Sequence, residues 1–324
     1  MVLINSIDRD VSTDHVIKWL LKYNVKFKRF NNIIEIKKIE YVDNTFIVEF
    51  GDGRKLDFNE IKAYWYRRGN YSDIWEVPKS ENSEFNKTYL AYAQGENKSF
   101  GDFFIHHLKE NIPCIGDSSS CTNVNKNIVL LTAGKCGLNI PEFIITTQSD
   151  TVKIFLQKHK KVITKPIHSS FIFGSDDYWL PTYTEEVNEN ILKNMPQSFK
   201  PTLFQSYIEK KIEIRTFYLE GSFYSMAIFS QNDSQTQTDF RVYNDDKPNR
   251  TVPFKLPEQI EINLHKLMKE LRFESGSIDL IYSTDNKFYF LEVNPIGQFG
   301  MVSYPCNYNL EEKIAASLVK KYNA

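Results

Sequence analysis

Asp279, Glu292 and Asn294 bring three hard oxygen donors into one short C-terminal stretch. They lie in two β-forming runs, Ser277-Ile278-Asp279-Leu280-Ile281-Tyr282 and Phe288-Tyr289-Phe290-Leu291-Glu292-Val293-Asn294-Pro295, joined by the polar turn Ser283-Thr284-Asp285-Asn286-Lys287. This pattern predicts a hairpin. Glu292 and Asn294 are two residues apart and share a face, and Asp279 can join them from the neighbouring strand. A carboxylate is costly to bury without a partner. A hard-donor set on a rigid sheet suits Mg²⁺, which keeps several waters and takes further ligands from phosphates. A solvated polar face is the plainer alternative.

Basic residues upstream could serve the same chemistry. Lys165 ends the apolar run Val162-Ile163-Thr164 and is followed by Pro166, so it can reach phosphate oxygens as a flexible point charge. Lys126, near the start of a helical segment, is weaker when read alone. Arg215 stands inside the apolar run Ile214 to Leu219, and Arg241 follows a polar loop. Each guanidinium needs an anionic or polar partner. Ion pairs with Glu213 or Asp239 would satisfy them; convergence on phosphoryl oxygens would stabilise charge during transfer to a carboxylate. The chain has no GxxxxGK[ST] and no GxGxxG, so neither standard phosphate loop is present.

The elements that must position these groups alternate between strand and helix. Strands are expected at 2–4, 33–39, 45–50, 55–58 and 61–66, with helices over 14–23 and 90–110. A helix over 125–136 should stop at Gly137. Further helices are expected at 151–158, 260–271 and 310–322, and strands at 140–146, 162–166, 202–208, 213–219 and 223–229. Residues 70–88 read as a surface excursion.

Composition narrows the class. A chain of 324 residues with 41% apolar and 25% charged residues has the make-up of a soluble globular protein with two or three subdomains. Its 40 basic and 41 acidic residues leave a net charge of -1, and no basic tract favours nucleic acid. Cys114, Cys121, Cys136 and Cys306 have no zinc-site spacing and read as thiols of a reducing cytoplasm. No signal peptide or membrane-spanning stretch is recognised.

Taken in order, Lys126, Lys165, the segment from Gln205 to Arg215, Arg241 and the Asp279/Glu292/Asn294 set resemble an ATP-grasp enzyme. Leu291-Glu292-Val293-Asn294-Pro295 is the most specific match. The resemblance is narrower still to the graspetide synthetases (grasp-with-spasm and microviridin-type), through Tyr64-Trp65-Tyr66-Arg67-Arg68, Thr164-Lys165-Pro166, the run Ser206 to Arg215, Thr238-Asp239-Phe240-Arg241 and Asn294 to Phe299. His168-Ser169-Ser170 departs from the family's glycine-rich phosphate loop.

The resemblance implies an α/β ATP-grasp fold: an N-terminal α/β domain at 1–118, a central subdomain at 119–202 and a C-terminal ATP-grasp subdomain at 203–324. It implies ATP and Mg²⁺ as cofactors, with Lys126 and Lys165 on the nucleotide phosphates. Gln205, Ser206, Tyr207 and Ile208 would present backbone to adenine, and Glu213 would lie near the ribose. Asp279, Glu292 and Asn294 would be the metal ligands, and Arg215 and Arg241 would steady an acyl phosphate. The implied reaction joins Asp or Glu carboxylates of a ribosomal precursor peptide to its Thr, Ser or Lys side chains, giving macrolactones or macrolactams. Glu185, Glu186 and Glu189 are candidates for docking the precursor's leader. A ligase adding an amino acid to a protein tail, and a noncatalytic nucleotide-dependent peptide-binding module, are the alternatives. The aromatic-rich N-terminal unit permits a homodimer.

Overall fold

The computed structural model describes residues 1–31, 36–51, 53–69, 83–116, 118–122, 124–167, 172–175, 178–181, 184–230 and 249–324. Two compact units emerge from it. One comprises Met1–Asn123, Phe273–Ser275 and Pro295–Ala324, the other Val124–Arg272 and Gly276–Asn294. In sequence order 203–324 read as one subdomain, whereas by contact its last thirty or so residues cluster with the N-terminal unit.

The first unit begins with β1 (Val2–Asn5), α1 (Val11–Lys22) and β2 (Phe27–Phe30). The meander β3 (Ile36–Val42), β4 (Thr45–Phe50) and β5 (Lys55–Asp57) follows, then β6 (Ala63–Tyr66), α2 (Ser83–Asn111), β7 (Cys114–Ile115) and the short α3 (Ser118–Thr122). Its main sheet has the order β2-β1-β6-β7 with every pairing parallel. β1 and β6 are buried at all their positions, as the inner strands of a sheet covered on both faces should be. The meander closes over an aromatic core in which Phe46 and Phe58 meet Phe104 of α2 at centroid distances of 5.1 and 4.8 Å. That buried face, with Ile105 and Leu108, explains why α2 continues through Gly95 and Gly101 despite their poor helix propensity.

The second unit runs through α4 (Lys126–Lys135), β8 (Phe143–Gln148), α5 (Ser149–His159), β9 (Val162–Lys165), β10 (Ile172–Ser175), β11 (Tyr178–Pro181), β12 (Glu185–Glu186), α6 (Glu189–Asn194) and β13 (Ser198–Ser206). It continues with β14 (Lys210–Leu219), β15 (Ser222–Phe229), β16 (Arg250–Phe254), α7 (Glu258–Glu270), β17 (Ser275–Ser283) and β18 (Phe288–Asn294). Two sheets organise it, β12-β9-β13-β8 and β16-β15-β14-β17-β18, beside the hairpin β10-β11. α5 and α6 cover the first sheet over Val152, Phe155, Val162, Val187 and Phe204. α4 packs on β18 and α7.

After β18, α8 (Gly300–Ser303) and α9 (Leu310–Tyr322) return the chain to the first unit. α9 lies against α1 and β6, burying Leu310, Ile314, Ala315 and Leu318 on one helical stripe. β16 had no counterpart among the expected strands, because its sequence, Arg-Thr-Val-Pro-Phe, carries a proline; as an edge strand it can accommodate one. No helix among the described residues is long and apolar enough to cross a membrane.

Candidate active site

The hairpin forms as the two apolar runs and their polar turn predicted, with β17 and β18 antiparallel. Asp279 pairs directly with Glu292, and Ser277 with Asn294, so the three oxygen donors occupy one face of neighbouring strands. A register irregularity between Asp279 and Leu280 follows at once. It gives β18 one extra residue, Leu291, and sharpens the local twist next to the donors.

β14 lies beside β17, which sets Arg215 against Asp279. Arg215 Nη1 donates to both Asp279 oxygens at 2.7 Å, and each residue is 8% exposed. Arg215 was expected to find Glu213 or Asp239 if it formed an internal pair; its partner is instead one of the candidate metal ligands. On the other side of the hairpin, Lys126 Nζ lies 3.1 Å from Glu292 Oε2. Asn125 places that lysine: its side chain accepts from the N–H groups of Asn127 and Ile128 and caps α4, so Lys126 opens the helix. Arg215 and Lys126 therefore bracket Asp279 and Glu292 across three strands and a helix.

These groups fit a small hard cation. Among the described residues no three His, Cys, Asp or Glu side chains cluster in a way that could hold a metal. Two carboxylates and an amide oxygen are a sparse set, suited to an ion that takes its remaining ligands from water and phosphate. Each carboxylate oxygen has two lone pairs, so the contacts to Arg215 and Lys126 leave acceptor capacity.

Glu213 sits one sheet position from this row and is 7% exposed. Its Oε1 accepts from Lys210 Nζ and from Ser230 Oγ, each at 2.6 Å. Burial pushes its carboxyl above the ordinary range; Lys210 and Ser230 pull it back, and the charge of Asp279 adds to the rise. Alternation could not have revealed Lys210 as the partner, since residues three apart in a regular strand face opposite ways.

In the other sheet Lys165 pairs in register with Leu203, and Gln205 with Ile163, so the candidate phosphate lysine and the candidate adenine segment stand on adjacent strands. The Ser206 and Tyr207 N–H groups already donate to Glu142 O at 2.8 Å and Lys161 O at 3.0 Å. Those two amides are committed to the protein's own backbone, which leaves the segment's carbonyls and Ile208 for a base. Gln205 is 1% exposed, and its Nε2 has no hydrogen-bond partner among the described residues. Glu185 and Glu186 form the edge strand next to β9, with Glu186 Oε2 3.1 Å from Lys161 Nζ. Glu189 lies in the first turn of α6, capped by Asn188. Arg241, with Thr238, Asp239 and Phe240, and His168 lie outside the described residues.

No protein-family model and no curated protein matches the chain. Solved structures do. A RiPP-associated ATP-grasp ligase from Chryseobacterium gregarium, in complex with ADP and a leader and core peptide, is 25% identical with a TM-score of 0.83; the match covers 99% of this chain and 96% of that one. Macrocyclase MdnC from Microcystis aeruginosa MRC, bound with precursor peptide MdnA, is 28% identical with a TM-score of 0.78, covering 98% and 99%. The ATP-grasp ligase PsnB, complexed with minimal precursor, Mg and ADP, shares the fold at 14% identity and a TM-score of 0.74, covering 100% and 98%.

Whole-chain likeness and an acidic hairpin faced by arginine and lysine define an ATP-grasp ligase. Within that class its likeness, over nearly its full length, is to ligases and macrocyclases solved with leader, core or precursor peptides.

Proposed function

We propose that this ligase uses ATP and Mg²⁺ to close rings within a ribosomal precursor peptide, joining Asp or Glu carboxylates to Ser or Thr hydroxyls or Lys amines. The observation that carries this reading is the row Arg215–Asp279–Glu292–Lys126, in which two cations bracket two carboxylates on adjoining elements. Bound ATP supplies the phosphoryl group that turns a carboxylate into an electrophile, and Mg²⁺ draws charge from its phosphates. Asp279, Glu292 and Asn294 would hold the cation. Lys126 and Lys165 would grip the phosphates, and Glu213 would orient the ribose.

Arg215, already fixed by Asp279, is preorganised to meet charge that develops as the peptide carboxylate takes the phosphoryl group and ADP leaves. Arg241 is proposed for the same task. The peptide hydroxyl or amine then bonds to the acyl carbon, loses its proton and expels phosphate. No protein nucleophile is needed. An ATP-consuming reaction on a ribosomal product belongs in the cytoplasm, with the leader docked along Glu185, Glu186 and Glu189.

The test is intact-peptide mass spectrometry with a precursor from a neighbouring short reading frame rich in Thr, Ser or Lys and Asp or Glu. Each closure removes one water and releases one phosphate. A mass gain would mark a tail-adding ligase, and binding without phosphate release a noncatalytic module. Glu292→Gln is expected to lower phosphate release and water loss together by at least about tenfold, with leader affinity retained. Near-normal closure by this variant would remove the metal assignment. Unchanged leader affinity after neutralising Glu185, Glu186 and Glu189 would move the docking surface elsewhere.

A further inference from the structure

The first unit carries a motif that the ligase chemistry leaves unused, Tyr64-Trp65-Tyr66-Arg67-Arg68. Its apolar part is β6, and the two arginines stand where that strand ends. β1 ends beside it. Asn5 O accepts from the N–H groups of Arg67 at 2.9 Å and Arg68 at 3.2 Å, and Asn5 Nδ2 donates to Arg68 O at 3.0 Å. In the order β2-β1-β6-β7 the chain moves from β1 toward one edge and from β6 toward the other. The carboxyl ends of β1 and β6 therefore meet at a topological switch point, the place where open parallel sheets hold ligands.

Charge there is unbalanced. Arg29 pairs with Asp14, and Arg67 Nε lies 3.3 Å from Asp10 Oδ2. Among the described residues Arg68 has no carboxylate partner. Arg67 is only 3% exposed, and its Nη1 donates to Ile296 O. Yet among the described residues its Nη2, like Arg68 Nε, has no hydrogen-bond partner. Leaving a buried donor unmet costs about 1–3 kcal/mol, more when it is charged. Burial lowers Arg67 to about 10; Asp10 opposes that change and Arg68 adds to it. An oxyanion would satisfy the unmet donors and balance the extra cation together, and a guanidinium fork is well matched to a carboxylate.

We propose that the carboxyl ends of β1 and β6 form an oxyanion subsite, in which Arg67 and Arg68 receive a side-chain carboxylate of the acidic precursor peptide. Only the source of the carboxylate rests on the proposed ligase reading; the subsite rests on the guanidinium groups and the switch point.

The experiment follows the arginine Nε–H resonances of the full chain by NMR, assigned with Arg68→Gln and Arg67→Lys. The probes are N-acetylglutamate amide, its glutamine counterpart and inorganic phosphate. The glutamate probe is expected to shift the Arg68 resonance saturably and the glutamine probe to leave it in place. Arg68→Gln should weaken the glutamate probe at least about tenfold, with affinity for Mg²⁺–ADP unchanged as a check on the fold. No shift with any probe overturns the subsite. A shift by phosphate at equal or lower concentration overturns the peptide assignment in favour of a phosphate ligand. The two readings fail separately. A chain that binds the glutamate probe but never consumes ATP keeps the subsite and loses the ligase, whereas normal turnover with silent arginines does the reverse.

Discussion

Arg215 is both a structural and a catalytic candidate, and its pairing decides how it can be tested. Removing the guanidinium leaves Asp279 charged, buried and without its 2.7 Å partner. Breaking such a pair costs about 3–5 kcal/mol, so Arg215→Ala should lose stability as well as transfer. Arg215→Ala/Asp279→Ala is expected to be more stable than Arg215→Ala alone in urea unfolding; strictly additive losses would show that the pair is not coupled. Glu213 offers a pH test. Its ordinary pKa of 4.5 is raised on folding, so the folded state holds the proton more tightly than the unfolded chain. Its contribution to stability is full below that ordinary value and is lost as pH rises through the raised one. The hydrogen bond from Ser230 favours the charged form and limits the loss. Ser230→Ala should therefore destabilise by about 1–2 kcal/mol near neutrality, and by less as the pH is lowered toward 4.5. A difference that grows on acidification would contradict this.

At the scale of elements, α4 is the part whose placement matters most, because it delivers Lys126 to Glu292. Asn125 starts it, and Gly137 stops it with a φ of 88°, the left-handed conformation that glycine adopts without penalty. A Cβ at Gly137 would also come within 3.1 Å of Asn263 Nδ2, the group that donates to Gly137 O. Asn125→Ala is expected to cost about 1 kcal/mol, and Gly137→Ala about 1 kcal/mol or more. Asn125→Ala should also raise KM for ATP, since it loosens the turn that carries Lys126, the proposed phosphate lysine. Thermal unfolding combined with ATP kinetics would check both; an Asn125→Ala enzyme with unchanged stability and KM would show that the cap does not position Lys126.

For the whole molecule, the aromatic residues that suggested a homodimer divide into two groups. Phe30, Phe46, Phe50, Phe58, Tyr64, Tyr66 and Phe104 are buried in the first unit and cannot form an interface. Phe85 and Tyr92 of α2 are 54% and 63% exposed. The dimer proposal now rests on that helix. The 38.0 kDa chain is expected to sediment at twice its mass, and Phe85→Ser/Tyr92→Ser to shift it toward the single-chain mass. A wild-type chain that sediments at the single-chain mass across working concentrations would remove the dimer.

Periodicity in the sequence determined most of the elements and the acidic hairpin. Two apolar runs joined by a short polar turn can fold back only on each other, and Glu292 and Asn294 stand two apart on one face, so Asp279, Glu292 and Asn294 were legible together. Gly137 was legible as a helix stop because few other residues relax there. Partners distant in sequence were not legible. That Arg215 meets Asp279, that Lys126 meets Glu292, and that Lys210 and Ser230 share Glu213 depend on which strands become neighbours and where a helix lands on them. The same holds for α9, whose amphipathic stripe announces a buried face without saying which, and which packs on α1. Local pattern sets what each segment can bury; only tertiary packing chooses against what, because one apolar or charged face is chemically acceptable to many others.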